Sequence, residues 1–120
     1  MEYKTGMLCK HFKGENLLEK NIYRIEQIGV EGKDINETLI TYTRDGEFLT
    51  AKNLVVYSNI FQENKLFARE YADISSSLTL NEQILYNQSL IQPLTLDEIK
   101  IINNPEFRTQ KTKLTSTKYK

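Results

Sequence analysis

Up to Tyr71 the apolar positions come in short runs with alternating polar neighbours, the texture of strands. From Ser75 onward they recur at helical spacing. Met7–Phe12 fits a first strand, stopped by Lys13-Gly14. Asn21–Gly29, carrying Ile22, Tyr23, Ile25 and Ile28, fits a second, with a polar loop and a Leu17-Leu18 anchor between them. Thr38–Thr43 is rich in β-branched and aromatic residues and runs into Arg44-Asp45-Gly46-Glu47. Asp-Gly there supplies the positive φ of a tight turn, so Phe48–Thr50 reads as the return strand of a hairpin spanning about 29–52. Asn53–Phe61 has the strongest strand pattern, and Leu66–Tyr71 follows the polar turn Gln62–Lys65. Five or six short strands with close turns predict a small, strongly bent β-barrel over about residues 6–75, a closure that removes exposed edges. Residues 1–5 read as a loose start.

Beyond Ser75-Ser76-Ser77 two segments open alike, Thr79-Leu80-Asn81-Glu82 and Thr95-Leu96-Asp97-Glu98. Each fits a capping box, in which threonine accepts from the backbone N–H three residues on and glutamate reaches back to the threonine N–H. The first helix is expected to run to about Ile91, stopping before Pro93, and the second to about Asn103, stopping before Pro105. Leu80, Ile84, Leu85 and Ile91 form one apolar stripe; Leu96, Ile99 and Ile102 form another. These two short C-terminal helices, over 79–104, cover the open side of the barrel or dock a partner or a second copy. From Phe107 the residues lose period, and 106–120 reads as a basic, disordered tail. The fold class is therefore α+β, mostly β, with a single domain over 1–105.

Composition narrows the function. A chain of 120 residues with 39% hydrophobic content has room for one modest core. No stretch is long or apolar enough to span a membrane, and the N-terminus lacks a signal-peptide layout. The single cysteine, Cys9, has no internal partner, which points to a reducing, cytoplasmic location. The formal charge of zero hides an asymmetry: of 16 basic and 16 acidic residues, five basic and one acidic lie in 106–120, leaving 11 and 15 in the body. Duplex DNA, which binds a positive folded face, is not the expected partner.

Most chemistry is excluded by residue type. One histidine and one cysteine rule out zinc and thiolate clusters, and no nucleophile elbow or phosphate loop occurs. Cys9 and His11 are two apart on a strand and share a face, a geometry compatible with a dyad but better explained by structure. Asp97 and Glu98 are explained by a helix start. No catalytic group, cofactor or metal is expected. A recognition set remains: Arg69 stands between Phe67 and Tyr71, where stacked rings would aim its fork at a phosphate or carboxylate. Tyr23, Tyr42 and Tyr57 on neighbouring strands would extend the aromatic surface, and His11 and Lys13 would add donors. The structural alternative makes the tyrosines barrel core and pairs Arg69 with Glu70 or another acid.

His-Phe-Lys-Gly at 11–14, preceded by Gly6, resembles the N-terminal signature of domain-of-unknown-function family 1653, found in bacteria and phages. Tyr23-Arg24-Ile25, Leu54-Val55-Val56-Tyr57 and Phe67-Ala68-Arg69 resemble its later strand blocks, so the likeness covers about 6–75. The chain departs from it by an insertion after Gly14, by the hairpin, and by Glu70 where the family has proline. The resemblance implies a small SH3-like barrel with no assigned reaction. The combined expectation is a non-enzymatic module binding a small anionic, nucleotide-like ligand through Arg69, Tyr71, His11, Lys13, Phe67 and Tyr57, as a phage or bacterial sequestering protein would. A protein–protein adaptor or homo-oligomer is the alternative, and single-stranded nucleic acid gripped by tyrosines and the basic tail is the third.

Overall fold

Six strands form one mixed sheet in the computed structural model of the chain, which describes residues 2–35, 40–42, 48–62, 65–76 and 91–118. They are β1 (Leu8–His11), β2 (Ile22–Val30), β3 (Ile40–Tyr42), β4 (Leu54–Asn59), β5 (Leu66–Glu70) and β6 (Ile91–Pro93), ordered β3-β5-β4-β2-β1-β6. All pairings are antiparallel except β3 with β5. Helices α1 (Tyr71–Ser76), α2 (Leu96–Ile102) and α3 (Pro105–Lys118) complete an α+β domain. The edge strands β3 and β6 do not pair with each other among the described residues, so the sheet is open and the expected closed barrel is not formed.

Period-two alternation assigns the two faces. On one lie Cys9, Tyr23, Ile25, Val55 and Tyr57, packed with Tyr3, Phe12, Ile74 and Ile91. On the other, Leu54, Val56 and Ala68 pack with Ala51, while Ile22 meets Leu94 and Ile102. The long β2 serves both neighbours because it bends. Its pairing with β4 slips between Ile25 and Gln27 and again between Ile28 and Val30, an extra residue each time. The second slip falls on Gly29 at φ 74, a left-handed conformation that glycine adopts without steric cost.

The segment after β2 is not the expected hairpin. Thr41 lies beside Phe67 of β5 in parallel, and Phe48–Thr50 is a 3-10 turn rather than a return strand. Phe48 sets its ring edge-on to Tyr42 at 5.2 Å, and this packing outweighs local strand propensity. The turn also docks against Gly32, where a Cβ would stand 1.8 Å from the Phe48 carbonyl oxygen. The Asp45-Gly46 turn lies outside the described residues.

At the C-terminal end the second capping box is present as expected. The Glu98 N–H donates to Thr95 Oγ1 at 3.1 Å, and the Thr95 N–H to Glu98 Oε1 at 3.0 Å. The other Glu98 oxygen accepts from Lys10 Nζ at 2.6 Å, tying α2 to β1. The first expected helix lies outside the described residues up to Leu90, and its expected end is strand instead: Ile91, Gln92 and Pro93 pair with His11, Lys10 and Cys9. Proline is tolerated there because β6 is an edge.

The stretch expected to be a disordered tail is helix α3. Pro105 occupies its first position and Asn104 Oδ1 accepts from the Glu106 N–H at 2.9 Å. Phe107 meets Phe61 edge-on, and Lys111, one turn later, is only 4% exposed. The Lys111 amine donates to the carbonyls of Leu18 and Lys20 in the β1–β2 loop. A lysine stem used as apolar surface carries no signal in an apolar pattern, which explains the discrepancy. Tyr3, in the expected loose start, is 4% exposed, and its hydroxyl donates to the carbonyls of Ile74 at 3.0 Å and Ile91 at 2.6 Å.

Candidate functional site

Four of the six expected site residues share one sheet face because of register. Tyr57 lies opposite Phe67 and Val55 opposite Arg69, while Cys9 lies opposite Tyr23 and carries His11 two residues on to the same side. Tyr57 stacks on Phe67 at 5.7 Å and 23°, and Tyr23 meets Tyr57 edge-on at 4.9 Å. His11 stacks on Phe12 at 4.8 Å and turns its edge to Tyr23 at 6.5 Å. Tyr23 and Tyr57 are 8% and 5% exposed, so both are core. Tyr42 belongs to the opposite face with Phe48.

The remaining two residues sit apart from this face. Tyr71 opens α1 rather than continuing β5, although its N–H still donates to the Asn53 carbonyl at 2.9 Å, the next rung of the β4–β5 ladder. Its hydroxyl accepts from the Tyr3 N–H at 2.8 Å, with the two rings edge-on at 5.3 Å. Tyr71 therefore pins the N-terminal segment. Lys13 is exposed in the loop after β1, its ammonium 5.8 Å from the Phe12 ring centroid.

Two features give the His11–Arg69 region its chemistry. Arg69 Nε is buried with no hydrogen-bond partner among the described residues, so among them the pairing with an acid weighed as the alternative is not made at that atom. His11 is pushed down from 6.5 to about 4, first by burial and then by the positive charges of Lys13, Arg69 and Lys20. Among the described residues, the charges acting on it are all positive. The Lys13 backbone N–H donates to His11 Nδ1 at 3.1 Å, so the neutral ring carries its proton on Nε2 and is a donor there. Lys20, whose amine donates to the Phe12 carbonyl at 2.8 Å, is the cation that sequence reading missed. Only the folding of the β1–β2 loop brings it near, and nothing in its spacing signals this.

The Cys9–His11 dyad is disposed of by the same burial. Cys9 is fully buried and its thiol is pushed up to about 12, so it stays protonated and unreactive. Two clefts of about 540 Å³ are bounded by described residues. One, by Phe12, Lys13, Gly14, Glu15 and Glu19, adjoins the His11 loop but carries two carboxylates. The other lies on the opposite sheet face, where Ser58 and Arg24 both donate to Glu26 Oε1 and hold its carboxyl below the ordinary range. Neither includes His11 or Arg69. No described helix is long and apolar enough to cross a membrane. Comparison with family models, with curated proteins and with solved structures finds no match to this chain.

Proposed function

We propose that this chain is a non-enzymatic binding module for a small anionic ligand such as a nucleotide-derived phosphate, held by Arg69 with His11 and Lys13. The observation that carries the reading is the buried Arg69 Nε–H left without an acceptor among the described residues, where the described charges acting on His11 are all positive. A buried donor without a partner costs about 1–3 kcal/mol, and an anion supplying the acceptor recovers it. A compact anion needs only these local cations, so the acidic excess of the body is no obstacle. The same reading treats the sheet as an opened relative of the small SH3-like barrel that the resemblance to family 1653 implies. Support comes from the antiparallel β1, β2, β4 and β5 set and the two slips that bend β2.

A thermal-shift panel of inorganic phosphate, pyrophosphate and mononucleotides tests the reading. A ligand at a hundredfold excess over its Kd stabilises by about 2.7 kcal/mol. Arg69→Met should abolish that shift. No shift with any member of the panel refutes the reading.

An adaptor or self-association role draws on Leu96 and Ile101, exposed to 79% and 47% on α2. Leu96→Lys with Ile101→Lys tests it by size: a wild-type dimer that becomes monomeric favours it, and an unchanged monomer removes it. Ile91 is unsuitable for this test, being core at 1% exposure.

A further inference from the structure

The cleft of about 540 Å³ on the sheet face opposite Arg69 joins polar groups that the anion site does not use. Its volume lies in the range of about 300–1,000 Å³ usual for small-molecule sites. Register builds it. Arg24 of β2 lies opposite Ser58 of β4, and Ser58 lies opposite Leu66 of β5, so one cross-strand row lines the cleft. Glu26 is the extra residue of the first β2 slip and has no partner of its own in the register. Its carboxylate reaches this row, where Ser58 Oγ–H at 2.7 Å and Arg24 Nε–H at 3.0 Å both donate to Oε1.

Each member of the pair keeps a second half unused. No described residue hydrogen-bonds to Glu26 Oε2 or to the two terminal nitrogens of Arg24. The side chains are 53% and 34% exposed for Arg24 and Glu26, so both are reachable from solvent. The Ser58 hydrogen bond first, and Arg24 after it, hold the carboxyl ionised. An anchored carboxylate and a planar donor fork therefore stand side by side. Lys65 adds a second cation, and Leu66 with Ile60 adds an apolar wall.

That arrangement is the complement of a molecule carrying a carboxylate next to an ammonium group. A plain anion would meet the Glu26 charge, and a plain amine would meet Arg24 and Lys65. We infer that this cleft binds a free α-amino acid with an aliphatic side chain. The carboxylate sits on the Arg24 fork, the ammonium on Glu26 Oε2, and the side chain against Leu66 and Ile60. The site shares no residue with the anion site and stands independently of it.

Backbone amide NMR of the full-length chain, read at Ser58 and Leu66, tests this. The probes are leucine, isocaproate (leucine without its ammonium) and isoamylamine (leucine without its carboxylate). Leucine should shift both amides saturably, with a Kd at least about tenfold below that of either analogue. Glu26→Gln should reduce the preference over isocaproate to less than about threefold, and Arg24→Gln should do the same for isoamylamine. Both positions are solvent-accessible, and the dispersion of the amide spectrum shows that each variant is folded. Arg69→Met should leave leucine binding unchanged. No saturable shift with leucine, an analogue binding within tenfold of it, or preferences that survive the two glutamine variants overturns the inference. Loss of leucine binding in Arg69→Met overturns it too, by placing the ligand on the other face. None of these results bears on the phosphate panel, so the two sites stand or fall separately.

Discussion

Replacing Arg69 by methionine should make the ligand-free protein more stable, the reverse of what a structural arginine would show. Arg69 lies opposite Val55, a fully buried residue, on a strand flanked by β3 and β4. Its Nε–H is buried and unpaired. Methionine is unbranched and adaptable, keeps most of the stem's packing, and carries no N–H to desolvate. Removing an unsatisfied buried donor recovers about 1–3 kcal/mol, from which some lost solvation and packing of the half-buried guanidinium must be subtracted. A net gain of about 1 kcal/mol is expected. For a chain of 120 residues this raises Tm by about 4 °C. Urea unfolding of both proteins without ligand measures it, and the His11 resonance supplies a second readout. Losing the Arg69 charge should move the His11 midpoint upward from about 4, though not to its ordinary value, because burial is the larger cause. A loss of stability above about 1 kcal/mol would show that Arg69 is satisfied in the free protein, and the case for an anion site would fall with it.

His11 also sets a pH dependence. Its folded value near 4 lies below its unfolded value near 6.5, so the unfolded chain binds the extra proton between them and stability falls as pH drops through that window. The slope is at most about 1.4 kcal/mol per pH unit, reduced by solvent screening; His11→Gln should flatten it above about pH 5.5, where the unfolded carboxyls of Glu26 and Glu98 are largely ionised. Lys111→Met, which strands the carbonyls of Leu18 and Lys20, should cost about 1–3 kcal/mol and speed hydrogen exchange in α3, whereas Gln110→Met at an exposed position of α3 should change stability by less than about 0.5 kcal/mol. Equal effects would mean that α3 is not docked. Gly32→Ala drives a methyl into the Phe48 carbonyl and should cost about 3 kcal/mol or more by thermal melting; a neutral result would dissolve the contact between the two 3-10 turns. Cys9 should resist thiol reagents in the native state and react fully in denaturant, and rapid native labelling would contradict its burial.

Local signals carried much of the strand inventory and all of the α2 start. β1, β2, β4 and β5 follow from alternation, and the Thr95 box forms because its partners lie three residues apart and need nothing else. Within β5, period two placed Phe67 and Arg69 on one face, since it depends only on the backbone, but Tyr71, expected with them, opens α1, and His11 and Tyr57 join that face only through the register. What the sequence could not determine is who pairs with whom at distance. The parallel β3–β5 pairing, the conversion of Phe48–Thr50 into a turn, and the strand at Ile91 depend on contacts many residues away, which outweigh local propensity. Whether the tyrosines are surface or core was open for the same reason: alternation gives a face but not what covers it. Tyr3 and Lys111 were invisible because a polar atom reveals itself as core only when the carbonyls it satisfies are in place. The Arg69 Nε–H without a described partner and the cationic field on His11 arise from three separate segments, β1, the β1–β2 loop carrying Lys13 and Lys20, and β5. Tertiary structure alone sums such charges, because Coulomb energy follows distance in space rather than position along the chain.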